Sequence, residues 1–213
     1  MDLEKISRAF KRNRFACSVF SCKEDAASYL VRSISEKTVG MGDSVTLAAM
    51  GLYEKLQKNN DVHDVAHLEG IDESDFSSPA RNKKFLETAR KCLTADIFLT
   101  SVNAASETGM LVNIDGTGNR IAGSLFGHEK VYFVFGVNKI VPSLEEAVAR
   151  ARNVAAPQNV ERHRYKCGCS AHGGDRCYDC GAPDRICNAL TVYYKKMRNI
   201  EMEVVIINEN LGY

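Results

Sequence analysis

Apolar and polar positions follow helical and strand periods in turn from the start of the chain. Leu3, Ile6, Ala9 and Phe10 fall on one side of a helix, and the run FACSVF at 15–20 reads as a strand. Ser21 and Glu24 stand at capping-box spacing before KEDAASYLVRSISE, which predicts a second helix. KTVGMGDSVTLAAMGLYEKLQKN then runs from a short strand through Gly40 and Gly42 into a helix that Asp43 or Ser44 can cap. DVHDVAH follows as another strand, so the opening third carries the logic of a βαβ unit.

HLEGIDESDFSSP is polar and loop-like, the segment expected to be most mobile, and RNKKFLETARKCL resumes a helix. ADIFLTSVNAA, GMLVNI and KVYFVFGV are three strand candidates, with DGTGN as a turn before the short apolar segment RIAGSLFG. PSLEEAVARARNVAA is a helix with Pro142 ahead of it, Ser143 at its cap and Pro157 after its end. ALTVYYKK and EMEVVIIN are closing strands that can pair around MRNI. The pattern predicts an α/β fold, a sheet flanked by helices, with a cysteine-bearing insertion near the C-terminus.

Composition narrows the function. A chain of 213 residues with 45% hydrophobic and 26% charged residues suits one sizeable folded domain with an appendage, or at most two small ones. The net charge of +1 and the absence of a long basic run argue against nucleic acid as a partner. No apolar run reaches membrane-spanning length, and the N-terminus lacks a signal peptide's apolar centre, so a cytoplasmic location without membrane attachment is expected. In that compartment eight cysteines are expected as thiols or metal ligands.

Five of them, Cys167, Cys169, Cys177, Cys180 and Cys187, lie in one turn-rich stretch at about 165–188. The CxxC spacing of Cys177 and Cys180 lets both sulfurs reach one metal. Zinc held by four thiolates and an iron–sulfur cluster both fit, while a thioredoxin-like dithiol is disfavoured by Pro183 close behind and the lack of a helix. His172 is at most a spare ligand, and Cys17, Cys22 and Cys92 read as packed thiols.

Gly40 and Gly42 with Asp43 and Ser44 suit an anion at a strand-to-helix turn, or a tight turn and its cap. Glu107 sits near a strand end, where a carboxylate can serve as base or nucleophile. Thr108, Gly109, Asp115, Gly116, Asn119 and Arg120 belong to the same block. Arg120 can grip a carboxylate or phosphate, or bond Glu107 or a carbonyl, and Asp115–Gly116 can be a plain hairpin turn. Asn138 and Lys139 follow a strongly apolar strand and offer a point charge to an anion, or a solvated loop. His63, His67, His128 and His163 show no shared spacing with acids and read as structural or surface groups.

VGMGDSVTLAAMGL, ADIFLTSVNAASETGMLVNIDGTGNRIAGSLFG, KVYFVFGVNKIVPSLEEAVARARNVAAPQN and CYDCGAPDRIC, in that order, resemble the LUD-domain, or lactate-utilisation, family. The resemblance covers roughly residues 5–208 and treats the chain, 1–213, as a single such domain with a cysteine loop. It implies a NagB/RpiA/CoA-transferase-like fold, shared with ribose-phosphate isomerases, glucosamine-phosphate deaminases and coenzyme A transferases, and a role in oxidising L-lactate. Expected partners are an anionic small molecule, iron–sulfur oxidoreductase subunits and further copies of the chain. SETG is similar to the Ser-Glu-Asn-Gly stretch of the transferases, with Thr108 in place of Asn, which puts thioester attack by Glu107 in doubt. The alternative to lactate oxidation is accordingly a transferase or isomerase acting through Glu107 on an acyl-coenzyme A or sugar phosphate; a non-catalytic assembly subunit is another. The family's cysteine pattern has one ligand before CxxC, filled by Cys167 or Cys169, and one in DRIC, Cys187.

Overall fold

The computed structural model describes residues 1–68, 70–71 and 78–213. In chain order the elements are α1 (Leu3–Arg12), β1 (Ala16–Phe20), α2 (Lys23–Ser33), β2 (Thr38–Met41), α3 (Val45–Ala49), α4 (Leu52–Leu56), β3 (Asp61–Asp64), α5 (Pro79–Leu93), β4 (Ile97–Thr100) and β5 (Ala104–Ser106). They continue with β6 (Leu111–Asp115), α6 (Asn119–Leu125), β7 (Lys130–Gly136), β8 (Ile140–Val141), α7 (Leu144–Arg150), α8 (Ala156–His163), β9 (Ala189–Tyr193) and β10 (Glu201–Ile207). No described helix is long and apolar enough to cross a membrane. Most of the polar segment expected to be mobile, Glu69 and 72–77, lies outside the described residues.

Six strands form a parallel sheet in the order β1-β10-β7-β4-β2-β3. Parallel strands are covered on both faces and therefore read as continuous apolar runs, as KVYFVFG does. Period two divides that run: Val131, Phe133 and Phe135 pack with Ile6 and Phe10 of α1 and Ala89 and Cys92 of α5. Tyr132 and Val134 pack on the other face with Leu30 of α2, Leu47 of α3 and Leu52 of α4. A second sheet, β8-β5-β6-β9, lies against α7 through Ala104, Val112, Ile114 and Ala147.

Several local expectations change. ADIFLTSVNAA is two strands in two sheets, because the chain turns at Ser101–Asn103 and sends β5 to pair with β6 and β8. The closing strands do not pair with each other: β9 joins β6, and β10 inserts between β1 and β7. RIAGSLFG lies largely in helix α6. Gly51, at φ +59°, breaks the helix after GMGDS into α3 and α4.

Capping differs as well. The cap of α2 is Cys22, so Ser21 stands one residue too early, and the Lys23 N–H donates instead to Glu209 Oε1 at 3.4 Å. Ser44 caps α3 by accepting from the Leu47 N–H, which leaves Asp43 free for another task, and Ser143 caps α7 as expected. Pro157 does not end its helix. A π-helical stretch over 151–155, in which the Ala156 N–H donates to Ala151 O, carries α7 into α8, and the widened turn just ahead of Pro157 makes room for a residue that has no N–H to donate.

Candidate functional site

A cavity of about 560 Å³ opens at the C-terminal ends of β2 and β3, where parallel sheets place their ligands. Gly42, Asp43 and Ser44 follow β2; Asp64 ends β3; Asp115, Gly116, Asn119 and Arg120 come from the β6–α6 connection. The opposite wall is built by Arg81, Phe85 and Leu86 of α5 and by Arg162 and His163 of α8.

Asp43 is clamped by Arg162 through both guanidinium Nη atoms, one at 2.9 Å, and lies 3.3 Å from His163 Nε2. Burial alone would raise its carboxyl; hydrogen bonds from His163 and Arg162 outweigh that and hold it well below the usual carboxylate range. Asp64, buried at the end of β3, lies 2.8 Å from His67 Nδ1 and accepts the Ala66 N–H at 2.9 Å. There burial dominates and pushes the carboxyl up. His67 stacks on Tyr53 with ring centres 4.2 Å apart.

Asp115 accepts four backbone N–H groups, from Thr117, Gly118, Arg120 and Ile121, and so fixes the first turn of α6. Arg120 meets it through Nε at 3.4 Å and donates from Nη2 to Ile114 O at 2.6 Å, so a carbonyl is one partner and the paired carboxylate is Asp115, not Glu107. Gly42 makes room for this arginine, since a Cβ there would stand 2.8 Å from Arg120 Cγ.

The other residues singled out from the sequence lie outside the cavity lining. Gly40 is a packing position, where a Cβ would meet Cys92 O at 2.6 Å. Glu107, Thr108 and Gly109 form the β5–β6 turn, held to α1 by Asn13 Nδ2, which donates to the Thr108 and Gly109 carbonyls. Asn138 ties down the C-terminal segment through Gly212 O and the Leu211 N–H. Lys139 is buried, not a solvated loop lysine, and its Nζ donates to Thr46 Oγ1, Ser101 Oγ and Val102 O. Burial, then Arg150 and Arg120, lower it to about 7.

All five clustered cysteines line one small second cavity, together with Arg152 and Arg185. Cys167 and Cys169 Sγ are 3.2 Å apart, and burial followed by this neighbour pushes Cys169 up to about 12. Cys177 Sγ accepts the Asp179 N–H at 3.4 Å, and Cys187 Sγ accepts from Arg185 Nη2 at 3.2 Å. Backbone N–H groups of Ala182 and Gly168 lower Cys180. Of the remaining thiols, Cys92 is packed and hydrogen-bonded to His63 O, whereas Cys22 is half-buried, its sulfur within 4.8 Å of Glu24 and Glu209 carboxylate oxygens.

The two cavities share a wall. Ile186 lines both, and its Cα would lie 2.9 Å from a Cβ on Gly116. Asn188 seals the junction, its N–H donating to Asp115 O and its Nδ2 to Gly116 O.

The LUD domain family matches residues 3–207, nearly the full length. The chain belongs to the LUD-domain family. Among solved structures, a DUF162 family protein from Deinococcus radiodurans is similar in fold to this LUD-domain protein, at 16% identity and a TM-score of 0.50 over 96% of this chain and 95% of that one. No curated protein matches it.

His67 and His163, read from the sequence as structural or surface groups, line the cavity of this LUD-domain protein, as do Arg81 and Arg162, which no local pattern singles out. Asp64 and His67 are three residues apart, a spacing present in the sequence but meaningful only once the end of β3 is placed. Asp43 and Arg162 are separated by 119 residues, and no local pattern links them.

Proposed function

We propose that this LUD-domain protein serves the oxidation of L-lactate or a related 2-hydroxy acid in the cytoplasm, binding the acid in the larger cavity and a metal centre on the cysteine loop. The observation that carries this reading is the shared wall: the β6–α6 loop that presents Asp115 and Arg120 to one cavity is hydrogen-bonded to the segment that presents the cysteines to the other. Oxidising a 2-hydroxy acid to its 2-keto acid releases two electrons and two protons. The site offers arginine for the carboxylate and an imidazole, His67 held by Asp64, for the hydroxyl proton; the C2 hydrogen would leave as a proton to solvent and the two electrons to an iron–sulfur oxidoreductase partner acting as oxidant. The NagB/RpiA/CoA-transferase-like relationship belongs to this proposal, and the cleft at the strand ends agrees with it. Glu107 lines no part of that cleft, so the transferase alternative gains no support from its position.

The cysteine set fits a metal centre. Cys177, Cys180 and Cys187, with Cys167 or Cys169, would hold it, and N–H and guanidinium donors already face the Cys177 and Cys187 sulfurs, as thiolate ligands require. A bound iron–sulfur cluster would supply one-electron carriage; zinc would supply a structural tie. The iron–sulfur form is the one that serves the oxidation proposed, since it alone would exchange electrons with iron–sulfur oxidoreductase subunits.

Calorimetric titration with L-lactate tests the acid site. Binding by the native protein that Arg120→Ala weakens about tenfold, the cost of roughly one charge-assisted hydrogen bond, is the expected result. Equal affinity in both proteins, or none in either, would remove the acid from this cavity.

A further inference from the structure

The cavity is larger and more apolar than a three-carbon acid requires. Its volume of about 560 Å³ falls in the roughly 300–1,000 Å³ range of sites that enclose drug-sized ligands. Beside the polar groups, Leu47 of α3, Phe85 and Leu86 of α5 and Ile186 of the cysteine segment contribute apolar wall. Leu86 is 47% exposed, a large aliphatic side chain left facing the cavity where a ligand could cover it. The polar groups are equally specific. Arg120 uses Nε and one Nη2 hydrogen on Asp115 and Ile114 O and retains further N–H donors for a carboxylate. Asp115 is saturated by four backbone N–H groups, and Asp43 is neutralised by Arg162, so neither carboxylate stands unpaired against an incoming anion.

We infer that the ligand is a 2-hydroxy monocarboxylate with an apolar tail of at least three carbons beyond those of lactate, its carboxylate at Arg120 and its tail along Leu86, Phe85 and Ile186. This rests on the organic-acid reading above and names its substrate class. Burying a methylene contributes about 0.8 kcal/mol, a roughly fourfold gain in affinity, so three buried methylenes give roughly fiftyfold.

The test is calorimetric titration of the intact, oxygen-free protein with L-lactate, 2-hydroxyhexanoate and hexanoate. The inference expects 2-hydroxyhexanoate to bind at least tenfold more tightly than L-lactate and more tightly than hexanoate, with Leu86→Ser cutting the gain over lactate to less than half. Leu86 is half-exposed, so this substitution leaves the core intact. Lactate binding as tightly as 2-hydroxyhexanoate would overturn the inference and leave the organic-acid reading standing. Hexanoate binding as tightly as its hydroxylated form would overturn the 2-hydroxy assignment. No binding of any of the three acids would overturn the organic-acid reading itself.

Discussion

Replacing Asp43 by Asn tests the electrostatic frame of the cavity. The carboxylate takes two hydrogen bonds from Arg162 and lies 3.3 Å from His163 Nε2, which Arg162 Nη2 also meets at 2.6 Å, with the Asp43 and Arg162 side chains 26% and 32% exposed. Asn keeps one acceptor but turns an NH2 group toward the guanidinium. Charge-assisted bonds are worth about 1.5–3 kcal/mol when buried, and partial exposure lowers that, so a loss of about 2 kcal/mol at pH 7 is expected. The folded carboxyl lies below its unfolded value, so its contribution is complete above the unfolded pKa and is lost as pH falls through the folded one. With an unfolded aspartate near 3.9 and the folded group still ionised, the gap between native and variant proteins narrows by about 0.7 kcal/mol on going from pH 7 to pH 3.5. Urea unfolding at both pH values, with unchanged slope, reads this directly. A gap below 0.5 kcal/mol at pH 7, or one independent of pH, would refute the reasoning.

Two further substitutions probe the scaffold. Gly40→Ala places a Cβ 2.6 Å from the Cys92 carbonyl oxygen, a backbone atom that no rotamer change can move, so α5 must shift from the sheet at a cost of about 1–3 kcal/mol, measured by thermal unfolding. Glu203→Gln removes the charge that Lys130 meets at 2.7 Å, while Ser18 and Tyr29 donate to its other oxygen at 2.7 Å; a loss of about 2–3 kcal/mol at neutral pH is expected, shrinking as pH falls below about 4.3, where the unfolded chain's glutamate takes up a proton before the native one, held low against burial by those partners, does.

Much of this architecture is written locally. The unbroken apolar runs of β7 and β10 announce strands buried on both faces, and the glycine-rich turn after β2 and the cysteine loop, both conspicuous in the sequence, each line a cavity. What the sequence conceals is set by tertiary choice. Nothing in ALTVYYKK or EMEVVIIN distinguishes pairing with each other from joining two different sheets, since both alternatives bury the same residues. Pro157 looks like a stop signal, yet widening of the preceding turn to a π-helix accommodates it. The acid–base groups of the cavity come from segments far apart in the chain, and only the placement of strand ends brings Asp43 to Arg162 and the Asp64–His67 pair to the same space. Lys139 shows the converse: its type suggests a surface, and three oxygen acceptors hold it inside.

The most direct test of the account is iron, sulfide and zinc analysis of the protein purified without oxygen, with an absorbance spectrum of the same sample and of Cys177→Ser. Stoichiometric iron and sulfide with broad absorbance at roughly 400 nm, lost in the variant, is the predicted result. Colourless protein carrying one zinc, or protein free of metal whose properties Cys177→Ser leaves unchanged, would contradict a redox centre beside the acid-binding cavity.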